Sequence, residues 1–156
     1  GWAASDVSLQ QLKSGVWQSR RTVAHGMSAL ALSDATHGWG VGDTWVGRLS
    51  GETWTFDPLQ SGVTYALALS GLEDGWAVGT RFYRLKAGQW SAFDRIVDHM
   101  YDVALHGDDV GWAVGGAASL LRYCPQEGCP GPAEPTPTPT PAAQLYLPVL
   151  LHRAAP

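Results

Sequence analysis

Two aspartates at matched positions are the residues of this chain best suited to acid–base chemistry. Asp57 follows Phe56 and Asp94 follows Phe93, and hydrolysis of a glycosidic bond requires two placed carboxylates. The matched context also fits a simpler role, because aspartate commonly forms turns at the ends of strands. We expect turn formation at both positions, and a glycoside hydrolase is the alternative.

The other polar residues do not form a recognisable catalytic or metal-binding set. Asp98, His99 and Asp102 lie close in the sequence, but no serine or cysteine in a known nucleophile motif accompanies them. His37 is interpreted as a turn residue, and Trp45 is a candidate platform for stacking a sugar, with a packed aromatic as the alternative. We therefore predict that the chain is not an enzyme and requires no metal or cofactor.

Composition narrows the possible partners. The 156 residues carry a net charge of −4, and only 15% of them are charged, so a nucleic-acid partner, which requires a basic surface, is disfavoured. No run of 18 apolar residues is present, so no transmembrane helix is expected. The sequence starts within a repeat motif and without methionine, and we expect it to be a piece of a longer protein.

A five-residue motif organises the chain. Gly75-Trp76-Ala77-Val78-Gly79 returns at residues 111–115, with a near copy at 38–42 and a partial copy at 1–3, so the offsets are 37, 37 and 36 residues. Each unit contains four short apolar runs separated by Gly, Asp or Ser, which is the size of one four-stranded propeller blade. Helical repeats are excluded because no unit contains a ten-residue stretch with helical periodicity.

The repeat predicts how the blades pack. In the opening runs 29–32, 66–69 and 103–105, small and large apolar residues alternate, which suits the crowded innermost strand of a blade. The tryptophans of the second and fourth strands should fill the gaps between blades. We predict an all-β, partial β-propeller of about three and a half four-stranded blades over residues 1–123, with Trp39, Trp76 and Trp112 in equivalent places.

The order of motifs within a unit carries a family resemblance. An apolar run, Gly-Trp-Ala-Val-Gly, a strand ending in arginine and Gly-x-Thr-Trp together resemble the Asp-box (BNR-like) β-propellers, and most of all the photosystem II stability and assembly factors and their bacterial relatives. Residues 51–54 match the closing half of an Asp box, whereas Gly47 and Leu49 replace the Ser and Asp of its first half. The resemblance implies a non-catalytic binding or assembly scaffold, and a sialidase-like hydrolase fragment is the alternative.

Three arginines define a candidate binding surface. Arg48, Arg84 and Arg122 occupy the same slot in successive units, so a propeller would place them in an arc on one face, which Arg81 could extend. Such an arc suits a carboxylate-bearing peptide or an acidic glycan. The alternative is that each arginine packs over its own strand and pairs with a nearby acid such as Asp57 or Asp94. The assembly-factor relatives are thought to use an arginine patch for a protein partner.

The sequence changes character after Tyr123. Cys124 and Cys129 enclose four residues, and we expect a small disulfide, with free thiols as the alternative. Zinc is disfavoured because a structural site needs four ligands. Residues 124–143 form a linker with a Pro/Thr-rich tract typical of exported proteins, and we expect this tract to be disordered outside the fold. We therefore predict an extracellular or cell-surface location.

The last segment, residues 144–156, is short and apolar. It resembles the Tyr-Leu-Pro tails of many secreted bacterial proteins, which implies a sorting signal. The alternative is an edge strand that docks on the propeller, where Pro148 would be tolerated because an edge position does not need its N–H.

Overall fold

The computed structural model contains strands and turns, and no helix, in the part of the chain that it describes. Those residues are 1–5, 8–22, 26–93, 99–107, 110–124 and the strand at 151–154. The strands form four antiparallel sheets, one of three strands and three of four strands. The predicted all-β, partial propeller is confirmed, and each sheet is one blade. Nothing in the described part is a helix with the length and apolarity needed to cross a membrane.

The blades follow one another along the chain. Blade 1 comprises β1 (Trp2–Ala4), β2 (Ser8–Lys13) and β3 (Val16–Thr22). Blade 2 comprises β4 (Met27–Leu32), β5 (His37–Gly42), β6 (Trp45–Ser50) and β7 (Thr53–Pro58). Blade 3 comprises β8 (Thr64–Gly71), β9 (Asp74–Gly79), β10 (Phe82–Lys86) and β11 (Gln89–Phe93). Blade 4 comprises β12 (Met100–His106), β13 (Val110–Gly115), β14 (Leu120–Tyr123) and β15 (Leu151–Ala154).

The second strands of blades 2–4 carry the repeated motif in equivalent register. Each motif tryptophan lies opposite an alanine of the first strand on one side and an arginine of the third strand on the other. The three rows of facing residues are Ala31–Trp39–Arg48, Ala68–Trp76–Arg84 and Ala104–Trp112–Arg122. The equivalence predicted from the spacing is therefore present in the structure.

The hydrophobic core lies between blades, in three clusters that each combine residues of two neighbours. Trp2 of blade 1 packs edge-on against Trp54 of blade 2, with ring centroids 5.7 Å apart, and Trp39 meets Trp90 in the same way at 5.7 Å. Because β1 carries the partial copy of the motif, it corresponds to the second strand of the other blades. A second-strand tryptophan thus contacts the fourth-strand tryptophan of the following blade. In the third interface Tyr123 packs against the motif tryptophan at 5.1 Å.

The first strands lie side by side, because β8 contacts both β4 and β12. Their alternating residues face opposite neighbours. Leu67 joins the cluster shared with blade 2, whereas Ala66 joins the cluster shared with blade 4. Large residues of a first strand therefore face the preceding blade and small ones the following blade.

The glycine that ends each motif is required by a close backbone approach. A Cβ built on Gly79 would overlap the carbonyl oxygen of Val63, the residue just before the first strand of the same blade. The same overlap occurs at Gly42 with Gly26 and at Gly115 with His99. Real side-chain carbons cannot occupy that space, so the backbone would have to move. The motif thus ends in glycine because the carbonyl just before the first strand lies directly against that position.

The C-terminal segment completes the last blade. Strand β15 pairs antiparallel with β14, from Tyr123 opposite Leu151 to Leu120 opposite Ala154. Residues 151–154 therefore form an edge strand that docks on the propeller, which is the alternative given for this segment. Unlike the fourth strands of blades 2 and 3, this strand contains no tryptophan. Cys124 is buried at the end of β14. Cys129 and the Pro/Thr tract lie outside the described residues, so the disulfide and the disordered linker stay predictions.

Candidate functional site

A groove of about 370 Å³ runs between the outer strands of blades 2 and 3. One wall comes from β6, β7 and the residues that follow them, and the other from β10 and β11. The groove presents aromatic rings, one guanidinium, one carboxylate and several uncharged polar groups. It is lined by Trp39, Val46, Arg48, Thr55, Asp57, Pro58, Leu59, Gln60, Tyr83, Gly88, Gln89, Trp90 and Ala92.

Hydrogen bonds between the two blades hold the groove in shape. The indole N–H of Trp39 donates to the carbonyl of Leu72 in blade 3, at 2.7 Å. The Tyr83 hydroxyl donates to the carbonyl of Ser61 and accepts a hydrogen bond from its N–H, at 3.1 Å. The backbone N–H of Leu59 donates to the Thr44 carbonyl at 2.7 Å. The connection from blade 2 to blade 3 is thus fixed, and the groove is largely preformed, as ligand sites usually are.

Arg48 supplies the positive charge of the groove. Its guanidinium carbon lies 5.3 Å from the ring centroid of Trp39, a cation–π arrangement that holds the side chain over the indole. Within the residues that the structure describes, no carboxylate lies within ion-pair distance of this guanidinium. Arg48 is half-buried, and no described carboxylate pairs with it. Its N–H donors can therefore bind a carboxylate ligand.

Arg84 occupies the equivalent slot but is committed to the fold. It forms a 2.5 Å ion pair with Asp74, and its Nη1 donates to the carbonyls of Gly75 and Leu85 at 2.8 and 2.9 Å. Its guanidinium also lies over Trp76 and over Tyr123 of the next blade. The alternative that an arginine of this slot pairs with an acid of its own blade is thus realised here, with Asp74 as the acid.

The remaining predicted site residues do not line the groove. Arg122 lies over the Trp112 ring at 5.5 Å, at the open side of blade 4. Arg81 is half-buried in the turn between β9 and β10, beside Gly62. Trp45 is buried with its ring edge-on to Phe56 at 4.9 Å, so little of it is accessible to a sugar. Of the predicted binding residues, Arg48 lines the groove.

The residue before the motif glycine explains why Arg48 and Arg84 differ. That position is Asp74 in blade 3, His37 in blade 2 and Val110 in blade 4. Only aspartate provides a carboxylate next to the third-strand arginine, so Arg84 gains an ion pair. In blade 2 that position is His37, which provides no carboxylate for Arg48.

The His37 side chain contacts a different acid, Asp34. Its Nδ1 lies 2.9 Å from the Asp34 carboxylate, which also accepts hydrogen bonds from the Thr36 N–H at 2.6 Å and the Thr36 hydroxyl at 2.8 Å. These bonds, those from Thr36 first, lower the pKa of Asp34 to about 2. His37 is thus the first residue of β5, not a turn residue as the sequence predicted, and its backbone N–H and side chain contact Asp34 in the turn before it.

Of the two candidate catalytic acids, Asp57 belongs to the described part of the chain. Asp57 is exposed on β7 and lines the groove, whereas Asp94 and Asp98 lie outside the described residues. Among the described residues there is no group of three His, Cys, Asp or Glu that could hold a metal ion. Sequence reasoning did not identify Trp90, Tyr83 and Thr55 as groove residues, although the fourth-strand position of Trp90 was visible in the repeat.

Comparisons with known proteins support the fold. No family model and no curated protein matches the chain. Among solved structures, the chain is similar to one titled "YCF48 bound to D1 peptide", with a TM-score of 0.53 and 15% identity. The match covers 78% of this chain and 39% of the solved one, so the chain spans less than half of that protein. At this identity the likeness establishes the propeller fold alone.

Proposed function

We propose that the chain is a non-catalytic binding scaffold that holds a carboxylate-bearing peptide segment of a partner protein in the groove between blades 2 and 3. One observation carries this proposal. The Arg48 guanidinium lines the groove, lies over Trp39 and has no acidic partner among the described residues. A guanidinium next to an aromatic surface can bind a carboxylate through two parallel hydrogen bonds.

A peptide fits the groove better than an acidic glycan. Asp57 lies in the same groove as Arg48, and its carboxylate would repel a ligand that carries negative charge along its whole length. A peptide can place one carboxylate at Arg48 and offer backbone N–H groups to Asp57 and Thr55. The solved propeller similar to this chain is described as bound to a peptide, which supports the same class of ligand.

An extracellular setting is part of the proposal. It is supported by the Pro/Thr-rich tract and the closely spaced cysteines of the sequence, which are typical of exported proteins. In that setting the groove would position a partner protein during assembly at the cell surface.

Replacing Arg48 with glutamine should weaken binding of a synthetic Gly/Ser peptide with a single central Glu by about 10- to 100-fold, because a charge-assisted hydrogen bond contributes roughly 1.5–3 kcal/mol. Arg84→Gln is the matched control in the same repeat slot. It should leave binding within a few-fold and instead lower stability, because Asp74 and two carbonyls lose their partner. Isothermal titration calorimetry and urea unfolding measure the two effects.

The salt dependence and the ligand class provide further checks. Binding should fall between low and physiological salt, since exposed charges are screened. A polygalacturonate chain should bind more weakly than the peptide. If Arg48→Gln binds the peptide as well as wild type does, the proposed site is wrong. If polygalacturonate binds more tightly, the partner is a glycan and not a peptide.

Replacing His37 with aspartate should give Arg48 the acid that Arg84 has in blade 3. The new carboxylate would compete with the ligand for the guanidinium, so we expect peptide affinity to fall by about tenfold. His37→Asn is the control, because it removes the imidazole without adding charge, and its affinity should stay close to that of wild type. Equal losses in both variants would show that the imidazole matters and that competition for Arg48 does not.

A further inference from the structure

Two opposite charges face the groove between blades 2 and 3 without pairing with each other. Arg48 lies on β6 directly opposite Thr55 of β7, and Asp57 stands two residues further along β7. Residues that oppose each other in a strand pair share a face, as do residues two apart on one strand. All three side chains therefore lie on the face of blade 2 that lines the groove. Within the described residues, no group of opposite charge lies within ion-pair distance of Arg48 or Asp57.

The position of the Arg48 guanidinium keeps the two charges apart. The guanidinium lies over the ring of Trp39, 5.3 Å from its centroid. Trp39 belongs to β5, whereas Asp57 belongs to β7, on the opposite side of β6. Neighbouring strands are about 4.8 Å apart and each residue adds about 3.4 Å along a strand, so the two charges are separated by on the order of 10 Å.

Both charges are accessible to a ligand. Asp57 is exposed and Arg48 is half-buried, whereas Arg84 in the next blade is already paired with Asp74 at 2.5 Å. A ligand that carries only a carboxylate would leave Asp57 without a cation. A ligand that carries both a carboxylate and a cationic group can contact both charges, so the groove is complementary to a ligand with opposite charges at two points.

We propose that the groove recognises an extended peptide segment in which one acidic and one basic residue stand two positions apart, with the acidic side chain at Arg48 and the basic one at Asp57. This rests on the proposed peptide-binding function and names the class of peptide. In an extended chain, side chains two positions apart point to the same side and start about 6.8 Å apart. The long side chains of Glu and Lys cover the remaining few ångströms, and the residue between them points away from the groove.

The test compares variants of the Gly/Ser peptide with a single central Glu. Two further peptides carry Lys two positions before or two positions after that Glu. We expect one of these two orders to bind the wild-type chain about two- to fivefold more tightly than the single-Glu peptide at low salt, the gain typical of one exposed ion pair. A Lys placed directly next to the Glu should give no gain, because neighbouring side chains point to opposite sides. Isothermal titration calorimetry measures the affinities.

Replacing Asp57 locates the contact of the Lys. Asp57→Asn should abolish the gain and leave the affinity for the single-Glu peptide equal to or slightly higher than that of wild type. Asp57→Lys should reverse the preference, so that a peptide with a second Glu in place of the Lys binds more tightly than the Lys peptide. Asp102→Asn is the matched control, because it removes an exposed carboxylate from blade 4, outside the groove, and it should keep the full gain.

The outcomes separate this inference from the proposed function. If the single-Glu peptide binds through Arg48 but Lys adds nothing in either order, the inference is wrong and the peptide-binding function stands. A gain that persists in Asp57→Asn would also overturn it, since the Lys would then contact another group. If the single-Glu peptide binds wild type and Arg48→Gln equally, the proposed function fails and this inference fails with it.

Discussion

Replacing Trp76 with alanine is expected to destabilise the chain by about 3–5 kcal/mol, the range typical of a buried tryptophan reduced to alanine. Trp76 is buried between blades 3 and 4, where it packs on Phe93 at 5.4 Å and on Tyr123 at 5.1 Å. Arg84 lies over the same ring at 5.0 Å. Alanine would remove these contacts and leave a cavity in the interface, and urea unfolding followed by fluorescence measures the loss.

Trp112→Ala is the matched control for this substitution, because Trp112 has the same place in the repeat but an open side. It should cost about 1 kcal/mol or less, since an exposed cation–π contact contributes roughly 0.5–1 kcal/mol. Equal losses at Trp76 and Trp112 would contradict the account in which stability comes from contacts between blades.

Replacing Gly79 with alanine is expected to cost about 1–3 kcal/mol or more, as forced overpacking does. The new methyl group would overlap the Val63 carbonyl, which also accepts a hydrogen bond from the Thr80 N–H at 2.9 Å. The start of β8 would have to move away from β9, and that bond would lengthen. The midpoint of urea unfolding should shift accordingly.

Gly71→Ala is the control for this second prediction. Gly71 ends β8, has nothing within 4 Å of a built Cβ and does not adopt a positive φ. Its replacement should change stability by less than about 0.5 kcal/mol, because the position is half-buried and no atom lies near the new methyl group. A comparable loss at both glycines would show that close backbone approach is not the reason for glycine in the motif.

The fold was predictable because the motif recurs at a fixed spacing. Offsets of 37, 37 and 36 residues required Trp39, Trp76 and Trp112 to be equivalent, and the turns between strands were marked by glycine, aspartate and serine. The fourth strand of blade 4 could not be deduced with the same certainty, because Leu151–Ala154 is separated from β14 by 27 residues and carries no repeat signal. Pairing over that distance depends on a free strand edge, which the sequence does not display.

The candidate site was predictable only in part. The repeat placed Arg48, Arg84 and Arg122 in one slot, and the structure keeps that slot. What each guanidinium contacts depends on the residue before the motif glycine. Asp74 at that position pairs with Arg84, whereas His37 provides no acid for Arg48. The groove also needed the contact between Trp39 and Trp90, which come from different blades, so no local pattern could reveal it.

The central claim, that a peptide carboxylate binds at Arg48, is tested most directly by nuclear magnetic resonance on the wild-type chain. A titration with the single-Glu peptide would follow the arginine Nε–H and tryptophan indole N–H signals. We predict that the Arg48 and Trp90 signals shift and saturate together, while the Arg84 signal does not move because Asp74 already holds its guanidinium. An Arg48 signal that does not respond while Arg84 or Arg122 shifts would contradict the account.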